Sequence, residues 1–352
     1  MRVILAGLLA AVLLSGAARA DGTCANPRQM PGFLTCADLD QARREGMVVL
    51  YTTDPETGTA KLLASFNKLV PDVRTSFVRL QAGALFAKLM AERQARSYLV
   101  DVLEISDLGF VLDLQKRGGY MPYVSPELAA YKPEYQSQPA GLWTWGAIIM
   151  AGIAYNPTIV SAAEAPKSWK DMLDPKWAGS VNVKVSNSGL QHEAWYELRR
   201  LYGEQYWRDF APLKPRAFDS YVQQYDRMVN GQDRVVHSAQ LSGYLEFRAK
   251  GAPVEFVYPA DGLPAGPEVW GAIAEAPHPA AARLFMDWLL SVPGQTALSE
   301  ALFLHSARAD VPAPGGGVRI DQLKLLFPTD WADFVASRPA FVREWDRMTG
   351  MR

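Results

Sequence analysis

The sequence has few of the residues that most often build metal sites and covalent catalytic sites. Its 352 residues include two cysteines, Cys24 and Cys36, and four histidines. Tetrahedral zinc sites need clustered cysteines and histidines, which this composition does not offer. The patterns His-Glu-x-x-His, Gly-x-Ser-x-Gly and Gly-x-x-x-x-Gly-Lys, typical of metalloproteases, hydrolases and nucleotide-binding proteins, are also missing. We therefore expect a protein that is not an enzyme and that uses no metal and no cofactor.

Neither sign of charge is in excess, since 36 Lys and Arg residues stand against 37 Asp and Glu residues. Proteins that bind nucleic acid carry a basic face, and this balance indicates none, so we expect no nucleic-acid partner. Asp54, Glu56 and Asp107 could form an acid/base pair for catalysis. Solvated loop carboxylates are the better interpretation of these three residues.

Long apolar runs are scarce, and none reaches the about 20 residues that a membrane-spanning helix needs. One run, Val3–Leu14, follows Arg2 and precedes small residues that end with Ala18-Arg19-Ala20. This order is typical of a secretory signal peptide. We predict that residues 1–20 are a signal peptide cleaved near Ala20 and that the mature protein lies in the periplasm. An uncleaved anchor is the alternative.

Export also bears on the two cysteines, because an exported chain meets an oxidising compartment. Cys24 and Cys36 lie shortly after the predicted cleavage point. We predict that they form one disulfide, which staples an N-terminal loop. Two free thiols are the alternative.

What the chain does contain is an alternation of strands and helices. An apolar strand at Met47–Tyr51, a helix that carries Leu62 and Phe66 and a strand at 73–80 form one such unit. Their order predicts an α/β fold with a partly parallel sheet. Two apolar runs, Leu142–Pro157 and Glu268–Ala274, share the sequence Trp-Gly-Ala-Ile. We predict that these runs are hinge strands that join two lobes, which close on a ligand by hinge motion.

Motifs spread over nearly the whole mature chain resemble those of one protein family. They are Pro166, Trp169, the run Leu173-Asp-Pro-Lys-Trp177, the region 66–102 and the late segment 279–291. This pattern is similar to that of the extracytoplasmic solute-binding proteins of bacterial ABC importers, in the ferric-iron and polyamine group. The resemblance implies a type II periplasmic-binding-protein fold of two mixed sheets flanked by helices. It also implies two inner-membrane partners, an ABC permease and its ATPase.

Within this architecture we assign residues 21–145 plus 272–312 to lobe 1 and residues 146–271 to lobe 2. Residues 313–352 follow a glycine-rich and proline-rich segment and carry many apolar residues, so we predict a C-terminal helical extension there. A monomer is expected.

Polar residues gather where the predicted strands end, which is where open α/β sheets bind ligands. Ser188 and Gly189 precede a predicted helix, and the free N–H groups of a helix start bind anions without a basic side chain. Helix capping by Ser188 or Asp107, and plain packing by the two tryptophans, are the alternatives. The predicted ligand-binding residues are Thr52, Thr53, Ser106, Asp107, Trp145, Ser188, Gly189, Leu190, Gln191, Ser238, Gln240 and Trp270.

The resemblance also bears on the ligand. Adjacent tyrosines hold iron in the ferric-binding relatives, and their positions fall on Leu241 and Ser242, so we predict that the chain lacks the iron-binding pair. A polyamine is disfavoured because cation sites combine several carboxylates and aromatics, and the predicted strand ends offer few of them. We predict a small, anionic, oxygen-rich solute such as a phosphonate, a phosphorylated sugar or an organic carboxylate. The alternatives are a ferric-iron-binding protein, a sensor-coupled binding protein and a periplasmic enzyme on the same fold.

Overall fold

The computed structural model describes Cys24 and residues 26–350, so the predicted signal peptide lies outside the described residues. The helices are α1 (Leu39–Glu45), α2 (Glu56–Leu69), α3 (Ala82–Ala95), α4 (Leu108–Lys116), α5 (Gly189–Tyr202), α6 (Gln205–Phe210), α7 (Tyr221–Val229), α8 (Leu241–Ala249), α9 (Pro279–Leu290), α10 (Val292–Leu302) and α11 (Trp331–Thr349). The strands are β1 (Arg28–Met30), β2 (Phe33–Thr35), β3 (Met47–Thr52), β4 (Arg74–Arg79), β5 (Val102–Ile105), β6 (Thr144–Tyr155), β7 (Val181–Lys184), β8 (Arg216–Phe218), β9 (Val235–Gln240), β10 (Glu255–Val257), β11 (Leu263–Ala272), β12 (His305–Ser306) and β13 (Leu325–Leu326).

The sheet has two halves that share their central strands. Its order is β4-β3-β5-β11-β6-β9-β7-β8, with β10, β12 and β13 paired at the side. The outer strands of each half run parallel, as β4, β3 and β5 do on one side and β8, β7 and β9 on the other. Within this order, the central β11 and β6 are antiparallel to their neighbours, and β13 at the side is parallel to β11. The mixed α/β fold predicted from the sequence is confirmed, with the two expected sheets linked into one continuous path of strand pairing.

Strand β6 links the two halves. Its residues Thr144–Met150 pair with β11, and its residues Ala151–Tyr155 pair with β9. Every residue of β6 is buried apart from the half-buried Tyr155, which explains why this stretch is the longest nearly uncharged run after the predicted signal peptide. Because β6 belongs to both halves, any change in the relative orientation of the two halves must alter the conformation of this strand. The assignment of lobes and hinge to particular residue ranges stays a prediction.

Helix α11 completes a second hydrophobic core beside the sheet. Its Phe334, Phe341 and Trp345 are buried among aromatic residues of α5 and α6. Trp345 Nε1 also donates a hydrogen bond of 2.8 Å to the backbone oxygen of Lys184 at the end of β7. The C-terminal segment is therefore a packed part of the fold, since burial of these aromatic side chains offsets the entropy lost on ordering the helix.

The predicted disulfide is confirmed, since Cys24 and Cys36 are bonded and their Cα atoms lie 5.8 Å apart. The bridge closes a loop around the hairpin of β1 and β2. Among the described residues, no helix is both long enough and apolar enough to cross a membrane.

Candidate functional site

A small cavity of about 40 Å³ lies at the carboxyl ends of strands from both halves of the sheet. Residues at or just beyond the ends of β3, β4, β5, β7 and β9 reach it. Strand ends place the polar residues that follow them at one edge of a sheet. The lining residues are Thr53, Asp54, Pro55, Arg79, Gln81, Ala82, Ser106, Ile149, Lys184, Ser188, Gly189, Leu190, Ser220, Tyr221, Gln240 and Glu268.

Five helices begin at this cavity. The residues that precede α2, α3, α5, α7 and α8 all line it, namely Pro55, Gln81, Ser188, Ser220 and Gln240. Ser188 and Ser220 accept hydrogen bonds from their own helices, whereas Pro55, Gln81 and Gln240 provide no side-chain cap. The first-turn N–H groups of α2, α3 and α8 are thus free of side-chain caps, and the N-terminal ends of five helices, which carry partial positive charge, lie around the cavity.

Two basic side chains, Lys184 and Arg79, add positive charge to the same cavity. Lys184 Nζ lies 3.3 Å from Gln240 Oε1, a single weak hydrogen bond for a group with three donors. Arg79 Nη1 lies 3.9 Å from Asp219 Oδ2, and its buried Nε has no hydrogen-bond partner. Loss of solvation, helped by the nearby Arg79, lowers the pKa of Lys184 to about 8. Both side chains therefore have donors left for a ligand.

Three buried carboxylates lie beside these cations. One oxygen from each of Asp54, Glu104 and Glu268 lies within 4.8 Å of the others. Glu104 Oε2 accepts hydrogen bonds from Thr52 Oγ1 at 2.7 Å and from the Thr53 N–H at 2.6 Å. By contrast, Asp54 Oδ2 and Glu268 Oε2 are buried without any hydrogen-bond partner. Burial, together with the charge of the neighbouring carboxylates, raises the pKa of both Asp54 and Glu268 well above their ordinary values.

The two sides of the cavity touch where α5 begins. A Cβ atom added at Gly189 would collide with the backbone oxygen of Ser106, which follows β5. Glycine is therefore required here for close approach of two backbones. The contact joins the exit of β5 in one half of the sheet to the helix that follows β7 in the other.

Six of the twelve predicted ligand-binding residues come together in this cavity, namely Thr53, Ser106, Ser188, Gly189, Leu190 and Gln240. They are drawn from four strand exits, those of β3, β5, β7 and β9, which are far apart in the sequence. Whether they contact a solute stays a prediction.

The other six lie outside the cavity lining. The buried Thr52 donates a hydrogen bond to Glu104 Oε2, and Gln191 donates one of 3.1 Å to Ser238 Oγ. Thr52, Gln191 and Ser238 therefore support the strand ends from behind the cavity lining. Asp107 caps α4 and accepts a hydrogen bond of 2.7 Å from Arg338 of α11.

The two tryptophans of this group are packed in the core. Trp145 stacks on Tyr135, with ring centroids 4.5 Å apart. Trp270 is fully buried against Gly146. Both side chains therefore pack at the central strands, which is the alternative to a role in ligand binding.

The cavity also contains residues that the sequence did not single out: Arg79, Lys184 and Glu268 line it, and Glu104 lies directly behind. The argument against a polyamine considered only the strand ends, and it missed Glu104 and Glu268 because they lie inside strands rather than in the polar loops. A signal was present, since a charged residue within a buried apolar strand is costly unless it is paired or functional.

The fold and the cavity define the class of protein, a two-sided α/β receptor for a small solute. The chain belongs to the bacterial extracellular solute-binding proteins, whose family pattern matches residues 99–337. This membership confirms the resemblance drawn from the sequence. It also indicates a periplasmic location and delivery of a small solute to an ABC permease.

Solved structures agree with this assignment. The periplasmic binding protein AfuA from Actinobacillus pleuropneumoniae, with fructose-6-phosphate bound, has a TM-score of 0.77 at 22% identity and covers 87% of this chain and 99% of its own. Iron-bound HitA from Pseudomonas aeruginosa has a TM-score of 0.73 at 21% identity and covers 85% and 98%. Iron uptake protein A1 of Synechocystis is 23% identical over 284 residues, 74% of each chain. Identities this low show the shared type II fold.

Proposed function

We propose that this protein captures a small, oxygen-rich anion in the cavity between the two halves of its sheet. The observation that carries the proposal is that five helix starts, Lys184 and Arg79 all line one cavity. Helix N-termini bind phosphate, phosphonate and carboxylate groups through backbone N–H groups, and the two cations strengthen those bonds. Asp54 and Glu268 are left to accept hydrogen bonds from the rest of the solute.

Capture follows from the position of these groups on opposite sides. Arg79 and the start of α3 belong to one half, whereas Lys184 and the starts of α5 and α7 belong to the other. A solute that contacts both halves binds the closed arrangement more tightly than any open one and shifts the population toward it. The closed protein, a monomer, is then presented to the permease, and the solute is released chemically unchanged.

A binding screen tests the proposal. Isothermal titration of the mature protein with phosphate esters, phosphonates and carboxylates should give at least one anion that binds more tightly than neutral sugars and polyamines. Lys184→Met should weaken the binding of that anion by about 10- to 100-fold, because a charge-assisted hydrogen bond contributes roughly 1.5–3 kcal/mol. Lys116→Met, at an exposed position of α4, is the matched control. Stabilisation by a neutral sugar or a polyamine alone, with no response to anions, would refute the proposal.

Ferric iron is the second candidate, because three carboxylate oxygens within 4.8 Å of one another are ligands that a hard cation accepts. Against it, Tyr221 is the one tyrosine among the lining residues, and its hydroxyl donates to Glu246 Oε2 at 2.7 Å. We expect that titration with ferric citrate produces no visible absorption band of the kind that phenolate ligands give to iron. A coloured, stoichiometric complex would favour iron over the anion.

A transport role and a sensing role would use the same site, and the phenotype of a gene deletion distinguishes them. Deletion of the gene should abolish growth on the solute if the protein serves uptake. Normal growth with loss of a transcriptional response would indicate a sensor-coupled role.

A further inference from the structure

We infer that the solute is a zwitterion, with a primary ammonium group bound by Asp54, Glu104 and Glu268 and a phosphonate or phosphate group bound at the helix starts. The inference rests on the proposed function and narrows it to one class, the short ω-amino phosphonates and amino phosphate esters. It is carried by the carboxylates rather than by the cations.

The spacing of the carboxylate oxygens suits an ammonium group. Its three hydrogens diverge tetrahedrally and prefer acceptors at about 2.8 Å, which sets the acceptors about 4.6 Å apart. The three oxygens offered by Asp54, Glu104 and Glu268 lie within 4.8 Å of one another. One nitrogen atom can therefore donate to all three at once.

The hydrogen bonding of these carboxylates indicates that a donor belongs there. Asp54 is 5% exposed and Glu268 is 3% exposed, and both line the cavity with one buried oxygen that has no partner. A buried carboxylate without a donor is costly. Glu104 has its donors from Thr52 and Thr53, so the two unpartnered oxygens belong to the two residues that face the cavity.

The cations of the site do not fill this role. Lys184 makes its hydrogen bond to Gln240, and Arg79 is nearest to Asp219. Three carboxylates and two cations therefore surround one cavity, and no hydrogen bond joins the cations to the carboxylates. A solute with one positive and one negative end matches both, whereas a hydroxyl group donates one hydrogen and brings no charge.

Matched ligand pairs test the inference. Isothermal titration of the mature protein would use ω-amino phosphonates with two, three and four carbons, each against the phosphonate in which a hydroxyl replaces the ammonium. The corresponding amino and hydroxy phosphate esters complete the set. For the best-fitting length we expect the amino compound to bind at least about tenfold more tightly than its hydroxy partner.

Two variants test whether the carboxylates produce the preference for the amino compound. Glu268→Gln keeps the shape of the side chain and removes its charge, so it should reduce the preference for the amino over the hydroxy compound to about threefold or less. Glu164→Gln, at an exposed position, should leave both affinities unchanged. Circular dichroism and thermal unfolding would establish that each variant is folded.

The possible failures are distinct. Equal or tighter binding of the hydroxy compounds would overturn the ammonium assignment and leave the anion proposal standing. Tighter binding of a simple diamine than of any phosphonate would overturn both. Binding of Ca²⁺ or Fe³⁺ that Glu268→Gln abolishes, with no preference between amino and hydroxy compounds, would assign the carboxylates to a metal ion instead.

Discussion

Replacement of Gly189 by alanine tests whether solute binding requires the two halves of the cavity to meet. Gly189 opens α5, and a Cβ atom there would strike the backbone oxygen of Ser106 on the opposite side. A backbone atom cannot turn away as a flexible side chain can. Relief therefore requires the two halves to move apart.

The size of the effect follows from the cost of inserting one methyl group into a closely packed contact, about 1–3 kcal/mol. If that cost falls on the closed, solute-bound form, the dissociation constant should rise by about 5- to 150-fold. The unliganded protein can separate at this contact, and alanine favours helix over glycine by up to about 1 kcal/mol. The thermal stability of the unliganded variant should therefore be unchanged or slightly higher while its affinity falls.

Isothermal titration and thermal unfolding of the same preparations would measure both quantities. Gly83→Ala is the matched control, because Gly83 lies in the first turn of α3, another helix that begins at the cavity, and an added Cβ meets nothing within 4 Å. It gains the same helix preference without the collision. Wild-type affinity in Gly189→Ala would show that this contact is not needed for binding, and loss of stability in the unliganded variant would show that the two halves cannot separate there.

Three further predictions concern charge and cross-links. Because the pKa of Lys184 is about 8 rather than 10.5, the affinity for the anion should fall as pH rises through that value. Lys184→Arg stays charged and should flatten this dependence of affinity on pH. An unchanged dependence in the variant would contradict the prediction. Arg338→Ala should lower the free energy of unfolding by about 3 kcal/mol, because it leaves the Asp107 side chain, which is 7% exposed, without its ion partner. Arg319→Ala removes one member of an exposed ion pair and should change the free energy of unfolding in urea little. Equal effects of the two variants would argue against a stabilising buried pair. Reduction of the Cys24–Cys36 bridge should cost about 3 kcal/mol of stability with unchanged anion affinity, and a loss of affinity would link the N-terminal hairpin to the site.

Much of the local structure was open to prediction because it depends on neighbours in the sequence. The apolar run Leu142–Pro157 favours a buried strand by its composition, and β6 occupies Thr144–Tyr155. Ser188 before an amphipathic stretch predicts a helix start, and it caps α5 by accepting from the Gln191 N–H. Capping and strand preference act over a few residues, so a single sequence carries them.

The role of individual side chains was harder to predict at the same strand ends. Asp107 and Ser106 are adjacent, yet Ser106 lines the cavity and Asp107 pairs with Arg338. That partner lies 231 positions away in the sequence. Sequence reasoning could place both residues at the strand exit and could not choose between them, because the choice depends on how α11 packs.

The sequence by itself determined an exported-type chain with an α/β alternation, one disulfide and polar strand ends that suit ligand binding. These properties follow from composition and short-range patterns. Only the tertiary structure decided that Asp54, Glu104 and Glu268 meet at a cavity that Arg79 and Lys184 also line. The physical reason is that a buried charge is tolerated where the fold brings it a partner or leaves it facing a site, and the fold does this through strand pairings between segments that are distant in the chain.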